Sequence, residues 1–452
     1  MHLAGERFAG VRVELSDSVL TARAGVVAVA QLLKRHAQLP QILDPKFPVP
    51  GGFSDSTVAI TYICQLAQDV TAFDSIENMR RDPSFAAALK IHALPSAPTV
   101  RQRIEARATD WLMPLSEANV RMLERARIEL KRLPSGRVPL NGDVTVLRND
   151  RSEKEDAGYT YQRTVGFAPL ALYLGSEGYL LELALRPGTQ HSALESDYAL
   201  ERVVPMARRL TDAPLLVRLD SGFDSQRIYR VLDEARVAGE LDYLVKWNPR
   251  KRGLEAIYAA RLTANSSFVE TREGLSYTLW REPGAGQFRL LKLSVQTIDR
   301  SGQRLLLPKL KLEGWNTTLG ALEDQAIIDL YAAHGTHEQF HAEIKSDLNF
   351  ERLPSGKFDA NDCVCSLEML AYNALRIIGQ QALNGMDSPV RNPADRRRMK
   401  TTLREFIDTP GRLIRHARQT ILAIPRHWAG AAMFQRFMQG PLFAAAAPQA
   451  PS

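Results

Sequence analysis

The sequence predicts an α/β fold: a mixed sheet that opens as an antiparallel meander and continues through crossovers, with a helical region before it, a β-rich insertion within it and a helical tail after it. Three observations point that way. From residue 138, strand-like and helix-like runs follow in the order three strands, helix, strand, helix, strand. Residues 11–132 instead carry apolar side chains at three- and four-residue intervals, the period of a helix. Between 250 and 320 the pattern alternates again, with turns at 273–274 and 301–302.

The bulk numbers set the class. A chain of 452 residues, 45% hydrophobic and 24% charged, has the composition of a soluble globular protein with room for two or three domains. No apolar run approaches the roughly 18 to 20 residues that cross a bilayer. The opening MHLAGERFAG has no basic segment followed by an apolar one, so a cytoplasmic location is expected. Cys64, Cys363 and Cys365 are the only cysteines, an odd number that argues against a disulfide framework. Residues 363 and 365 have no second Cys/His pair at zinc spacing. A net charge of +7 suits an anionic partner.

Taken in order, helices are expected at 25–35, 57–66 and 116–133, with breaks at Pro40, 48–52, 95–98 and Pro114. Arg80, Arg81, Arg101 and Arg103 fall near helix ends, where they either contact DNA phosphates or solvate a helical bundle; Thr99 is placed to cap. After LPSGR the run VPLNGDVTVL is a strand with Asp143 inside it. Strands follow at 164–175 and 178–185, joined by a tight turn at 176–177, and Arg186, Pro187 and Gly188 end the third strand. Then come a helix over 194–210, a strand over 214–219, a helix over 225–238 and a strand over 241–247. This is the order of a ribonuclease-H-like catalytic core, in which the first and fourth strands are neighbours.

That adjacency brings Asp143 toward Asp220, at the end of the fourth strand in VRLDSGFDS. Asp220 is preferred to Asp224 because Gly222 follows to turn the chain and Asp224 is better placed to cap the next helix. Two carboxylates on neighbouring strands repel unless a cation lies between them. The insertion, with alternating runs at 267–271, 275–281, 288–296 and 303–307, carries Lys246, Trp247, Arg250, Lys251, Arg252, Trp280 and Lys292 in or near it. These suit a nucleic-acid strand, or an ordinary small sheet with core aromatics. The stretch YAAHGTHEQFHAEIK, read as one helix, places Tyr331, His334, Glu338 and Lys345 within roughly 60° of one another. Such a face can hold a cation on the carboxylate and grip phosphate with the rest, or be a solvated helix face. An apolar helix is expected over 363–383, a basic helical tail around 395–418, and disorder from 444.

With Asp143, Asp220 and Glu338 in this order, the sequence resembles bacterial insertion-sequence transposases of the DDE class, in the subgroup with a β insertion before the glutamate. That subgroup has the signature Tyr, two residues, Arg, three residues, Glu, six residues, Lys. Tyr331, Glu338 and Lys345 match it, and His334 replaces the arginine. RRDP at 80–83, LPSAPT at 94–99, LRPG at 185–188, RLDSGF at 218–223 and LAYNALR at 370–376 extend the resemblance over about residues 55–430. Asn141 stands where such proteins often carry a second aspartate.

The resemblance implies that the three acids hold two Mg2+ (or Mn2+) ions and that the chain hydrolyses and rejoins phosphodiesters at insertion-sequence ends. Tyr331, His334 and Lys345 would grip terminal phosphates, and Trp247 or Trp280 would stack a flipped base. Double-stranded DNA, as terminal inverted repeats and target, and a homodimer on two ends are the implied partners. The implied division is a helical DNA-binding region over 1–133, core over 134–249 and 321–390, insertion over 250–320 and a basic helical region over 391–452. A structure-selective nuclease without strand transfer, or a catalytically impaired DNA-binding derivative, are the alternatives.

The histidine generates a test. If His334 contacts a terminal phosphate, end binding should strengthen as pH falls from about 8 toward 6, because the charged imidazole is the better donor. His334→Arg should remove that dependence and tighten binding by about 1 kcal/mol. Identical pH profiles of the two proteins in a DNA-end binding titration would rule the contact out.

Overall fold

The structure is a computed structural model that describes residues 7–8, 11–12, 18–82, 85–86, 91, 93–150, 153–239, 241–250, 253–299, 301–416 and 419–443; of these, 7, 8, 11, 12, 334, 336, 337, 415, 416 and 419 are described for backbone only. The expected phosphate grip of His334, the basic Lys251, Arg252 and Arg418, and the disorder expected from 444 therefore lie outside the described residues or side chains.

The fold is mixed α/β, organised by a single 9-stranded sheet. Its meander is β1 (Val138–Val144), β2 (Leu170–Leu174) and β3 (Tyr179–Ala184), antiparallel throughout. The chain then crosses through α1 (Ser196–Leu210) to β4 (Leu215–Leu219), and through α2 (Gln226–Ala238) to β5 (Leu241–Trp247). Strand β4 pairs in parallel with both β1 and β5, so the order β3-β2-β1-β4-β5 is the expected one. Strands β1, β2 and β4 are almost wholly buried, as continuous apolar runs covered on both faces must be.

The insertion departs from expectation in two ways. Helix α3 (Leu254–Thr263) precedes its strands and was not anticipated. The strands β6 (Val269–Arg272), β7 (Leu275–Glu282), β8 (Phe288–Ile298) and β9 (Arg304–Thr317) do not form a separate sheet, because β9 pairs antiparallel with β5 and extends the central one. Strand β9 runs well past the expected end at 307. Pairing moves from Ile298↔Arg304 to Gln296↔Lys309, so Pro308 sits in a bulge where no ladder donor is needed.

Two further expectations are corrected. Pro114 does not break a helix: one helix spans Ala97–Arg125. Trp111, Leu115, Ala118 and Met122 are all fully buried along it, and that burial outweighs the roughly 3 kcal/mol of an internal proline. The tail over 391–452 is not all helical, since Gly411–His416 and Gln419–Ala423 form a hairpin. Gly411 and Arg412 also pair with Thr21 and Leu20 near the other end of the chain. Leu413 is buried between the exposed Arg412 and Ile414, as on a strand with one covered face.

On the N-terminal side, the helix Asp55–Leu66 lies against the long helix through Asp55, which is 0% exposed. Its carboxylate accepts from Arg103, from Arg107 Nε at 3.2 Å and from the Trp111 indole at 3.1 Å. Behind the sheet lies the apolar helix Phe358–Gln381, expected over 363–383. Asp55→Ala would leave two guanidinium groups and an indole N–H without their acceptor. A loss of about 3 to 5 kcal/mol is expected in denaturant unfolding of the N-terminal helices; an unchanged midpoint would refute it.

Candidate active site

Parallel pairing sets the site. Leu219 lies opposite Gly142, so the residues that follow, Asp220 and Asp143, leave the C-terminal ends of two hydrogen-bonded strands side by side. Gly142 leaves room there for two leucines, since a Cβ would stand 2.6 Å from Leu219 Cδ2 and 2.7 Å from Leu172 Cδ2 and would make both side chains shift. Such strand ends are where open α/β sheets bind ligands.

Each carboxylate is already oriented. Asp143 Oδ1 accepts from the Val144 N–H at 2.8 Å, and Oδ2 lies 3.2 Å from His341 Nε2. Asp220 accepts from Gly222 N at 2.9 Å and begins a short 3-10 turn over Ser221–Phe223. Asp224 does not cap α2 as expected. It accepts from the Tyr229 hydroxyl at 2.7 Å and from Asn248 N at 3.1 Å, tying α2 to the end of β5.

Two tyrosines feel both aspartates. Burial, then Asp220 and Asp143, push the Tyr331 phenol well up. Burial pushes Tyr161 up as well, with Asp143 and Asp220 among the further causes, and its hydroxyl donates to Val144 O at 3.2 Å. Tyr161 was not anticipated. It arrives on the loop of a small separate sheet formed by Leu147–Arg148, Gly158–Tyr159 and Val165–Phe167, and no spacing in the sequence signals that.

The stretch that carries Glu338 is not one regular helix. Helix α4 (Asp324–Ala332) passes into a 3-10 turn over Ala333–Thr336, then α5 (His337–Ala342), then a π turn over Glu343–Asp347. The 100° step fails across these changes of pitch, so the shared face expected of Tyr331, Glu338 and Lys345 is not a property of an ideal helix. Tyr331 packs on Trp315, with ring centroids 5.9 Å apart and Lys246 Nζ 5.7 Å from its ring. Glu338 is exposed in the first turn of α5. Lys345 Nζ donates to Val146 O at 3.1 Å, just beyond the strand that carries Asp143. His341, also unanticipated, is buried beside Asp143.

The remaining candidates are spread more widely. Trp247 is 7% exposed with the Arg289 guanidinium 4.4 Å from its ring, and Trp280 has that of Arg261 at 4.6 Å. Arg80 pairs with Glu77 at 2.7 Å, Arg101 with Asp74 at 3.3 Å, and Arg103 with the buried Asp55. Arg81 is exposed.

The donor chemistry at the strand ends fits a hard divalent cation: two carboxylates, each with lone pairs left over from the bonds above. Among the described residues no group of three or more His, Cys, Asp or Glu side chains is close enough to hold a metal. A Mg2+ site of one or two carboxylates completed by water and substrate phosphate is the arrangement this pair suits.

One residue pair deeper on the same face, Arg218 lies opposite Asn141. Arg218 is 2% exposed, and burial lowers its pKa to about 10. Its Nε donates to Asn141 Oδ1 at 2.8 Å and its NH1 to Leu330 O at 2.7 Å, so the guanidinium joins the two strands to the end of α4. Asn141 Nδ2 is buried without a partner.

Residues 9–440 match the family model of the transposase DDE domain group 1. The search of curated proteins found no match. Among solved structures, a chain in the cryo-EM structure of a piggyBac transposase synaptic complex with hairpin DNA aligns at 9% identity and a TM-score of 0.44, covering 94% of this chain and 85% of that one.

Asn141 offers a test of the buried layer. Asn141→Leu removes the acceptor of a buried guanidinium and should cost about 3 kcal/mol in unfolding free energy. Asn141→Asp supplies a charged acceptor, removes the orphaned N–H, and should be at least as stable as the native protein. Equal stability of the Leu variant and the native chain would contradict the assigned role of Arg218.

Proposed function

The chain belongs to the transposase DDE domain group 1 family, and we propose that Asp143, Asp220 and Glu338 are the acids with which it cuts and joins DNA. It is a DNA transposase. The observation that supports the assignment is that Asp143 and Asp220 stand at adjacent parallel strand ends, and that both carboxylates act electrostatically on Tyr161 and on Tyr331. Enzymes of this class depend on divalent metal. Asp143 and Asp220 are the residues that would hold it, joined by Glu338 from the first turn of α5 once DNA is bound.

Two Mg2+ or Mn2+ ions held by these acids would supply Lewis-acid stabilisation of the charge that develops on the phosphate and activation of the attacking oxygen. The protein's own groups do the rest. Lys345 brings an ammonium beside the Asp143 strand, where it can move from Val146 O to a phosphate oxygen. Tyr331 keeps its proton, since burial and two carboxylates hold it in the phenol form, and so remains a donor. Attack by water would free a 3′-hydroxyl at the element end, and attack by that hydroxyl would join it to target DNA.

The core is read as ribonuclease-H-like, over 134–249 and 321–390, with the insertion over 250–320 and Arg80, Arg81, Arg101 and the half-buried Trp280 as contacts for terminal repeats; Trp247 is instead packed in an apolar cluster with Leu291 and Leu293. Work on two ends calls for a homodimer.

Asp143→Asn, Asp220→Asn and Glu338→Gln should each lose cleavage of an end-bearing duplex by about a thousandfold or more, with binding in EDTA kept. Cleavage surviving in any one of them would remove that residue from the set. Parallel loss of binding and cleavage would mean a damaged fold instead.

A further inference from the structure

We propose that His341 is a positioning residue for Asp143, holding one carboxylate oxygen as a donor so that the rest of the group faces the metal. The inference rests on the reading of Asp143 as a metal ligand. His341 is 7% exposed, and both ring nitrogens are engaged: Nε2 stands 3.2 Å from Asp143 Oδ2, and Nδ1 stands 3.1 Å from the Tyr173 hydroxyl. A carboxylate can only accept, so Nε2 carries the hydrogen. In the neutral ring Nδ1 is then the acceptor, and the Tyr173 O–H donates to it. Tyr173 therefore selects the tautomer that Asp143 needs.

The second oxygen of Asp143 is held from its own strand by the Val144 N–H at 2.8 Å. With one donor on each oxygen, the carboxylate cannot rotate about its terminal bond without breaking both. The lone pairs left over point in fixed directions, which is what a metal needs of a ligand before it arrives.

The histidine itself is placed by its helix, not by Asp143. Phe340, fully buried, packs where Gly178 has no side chain; a Cβ there would lie 2.6 Å from the ring, and the Gly178 φ of +72° suits glycine. Glu343 is clasped by Arg376 and by Arg396 at 2.6 Å, and Lys345 is tied to Val146 O. These anchors flank His341 on both sides, so replacing it leaves the segment attached.

The test uses the full chain and Mn2+ alone, titrated without DNA and followed by electron paramagnetic resonance. A glutamine amide reaches as far as Nε2 and an asparagine amide only as far as Nδ1, so the two separate donation to Asp143 from mere filling of space. His341→Leu and His341→Asn should weaken Mn2+ binding about 10- to 100-fold, and His341→Gln should recover most of it. Tyr173→Phe, which keeps the ring and loses the tautomer-selecting hydroxyl, should weaken it in the same direction by less. DNA-end binding in EDTA should be unchanged in all four. Native Mn2+ affinity in His341→Leu overturns the inference, as does a Gln variant no better than Leu. If Asp143→Asn also binds Mn2+ like the native chain, the metal reading of Asp143 falls and this inference with it. Loss in Asp143→Asn but not in His341→Leu overturns the positioning role alone.

Discussion

Two like charges at the ends of two hydrogen-bonded parallel strands are the constraint around which this molecule is arranged. Parallel pairing of β1 with β4 brings the strand ends that carry Asp143 and Asp220 side by side, and repulsion between the two carboxylates is offset locally. The offset comes in layers. Backbone N–H groups of Val144 and Gly222 and the imidazole of His341 donate to the carboxylates, and behind them a buried guanidinium lies on the same face of the sheet. Asn141 matters for what it is not. A carboxylate there would pair with the Arg218 charge, whereas the neutral amide fixes the guanidinium through one hydrogen bond.

The glutamate-bearing segment is held by a different device. Glu343 is 2% exposed between Arg376 and Arg396, and Arg376 also donates to the Tyr372 hydroxyl at 2.7 Å. Buried ion pairs of this kind add little net stability, but they fix geometry, because any slip leaves a charge without its partner. The π turn over Glu343–Asp347 places Glu343 and Asp347 both inward, Asp347 meeting Arg398 at 2.8 Å. The segment is thus locked to the basic stretch after residue 395, where Arg396 and Arg398 are occupied in holding the segment that follows Glu338.

The strand order was legible because the core strands are short apolar runs bounded by turn residues, and the helices between them keep a helical period. Leu241–Trp247 lies where alternation ends, and Gly175 and Gly178, both at positive φ, make the turn expected at 176–177. The two aspartates could be found because topology alone makes the first and fourth strands neighbours. What could not be read depends on distant partners. Pro114 lies inside a helix in which Trp111 and Leu115 are buried, and the π turn that begins at Glu343 carries that side chain to Arg376 and Arg396. His341 and Tyr161 reach Asp143 from 198 residues later and from the loop of a separate small sheet, so neither has a local signature.

The pairing of Leu20–Thr21 with Gly411–His416 bears on the order of events during synthesis. Ala24 N donates to Thr409 O at 2.9 Å and Gly25 N to Ile407 O at 3.3 Å, and Gly25 comes so near the Phe406 carbonyl that any side chain would collide with it. None of these bonds can form until the ribosome has passed residue 416, by which time the sheet carrying both aspartates has been translated. Contacts between residues 20–25 and 406–412 close only after the chain between them has been made. A product cut short before residue 407 would display an unpaired early strand and an uncovered helix, features that proteases and chaperones act on.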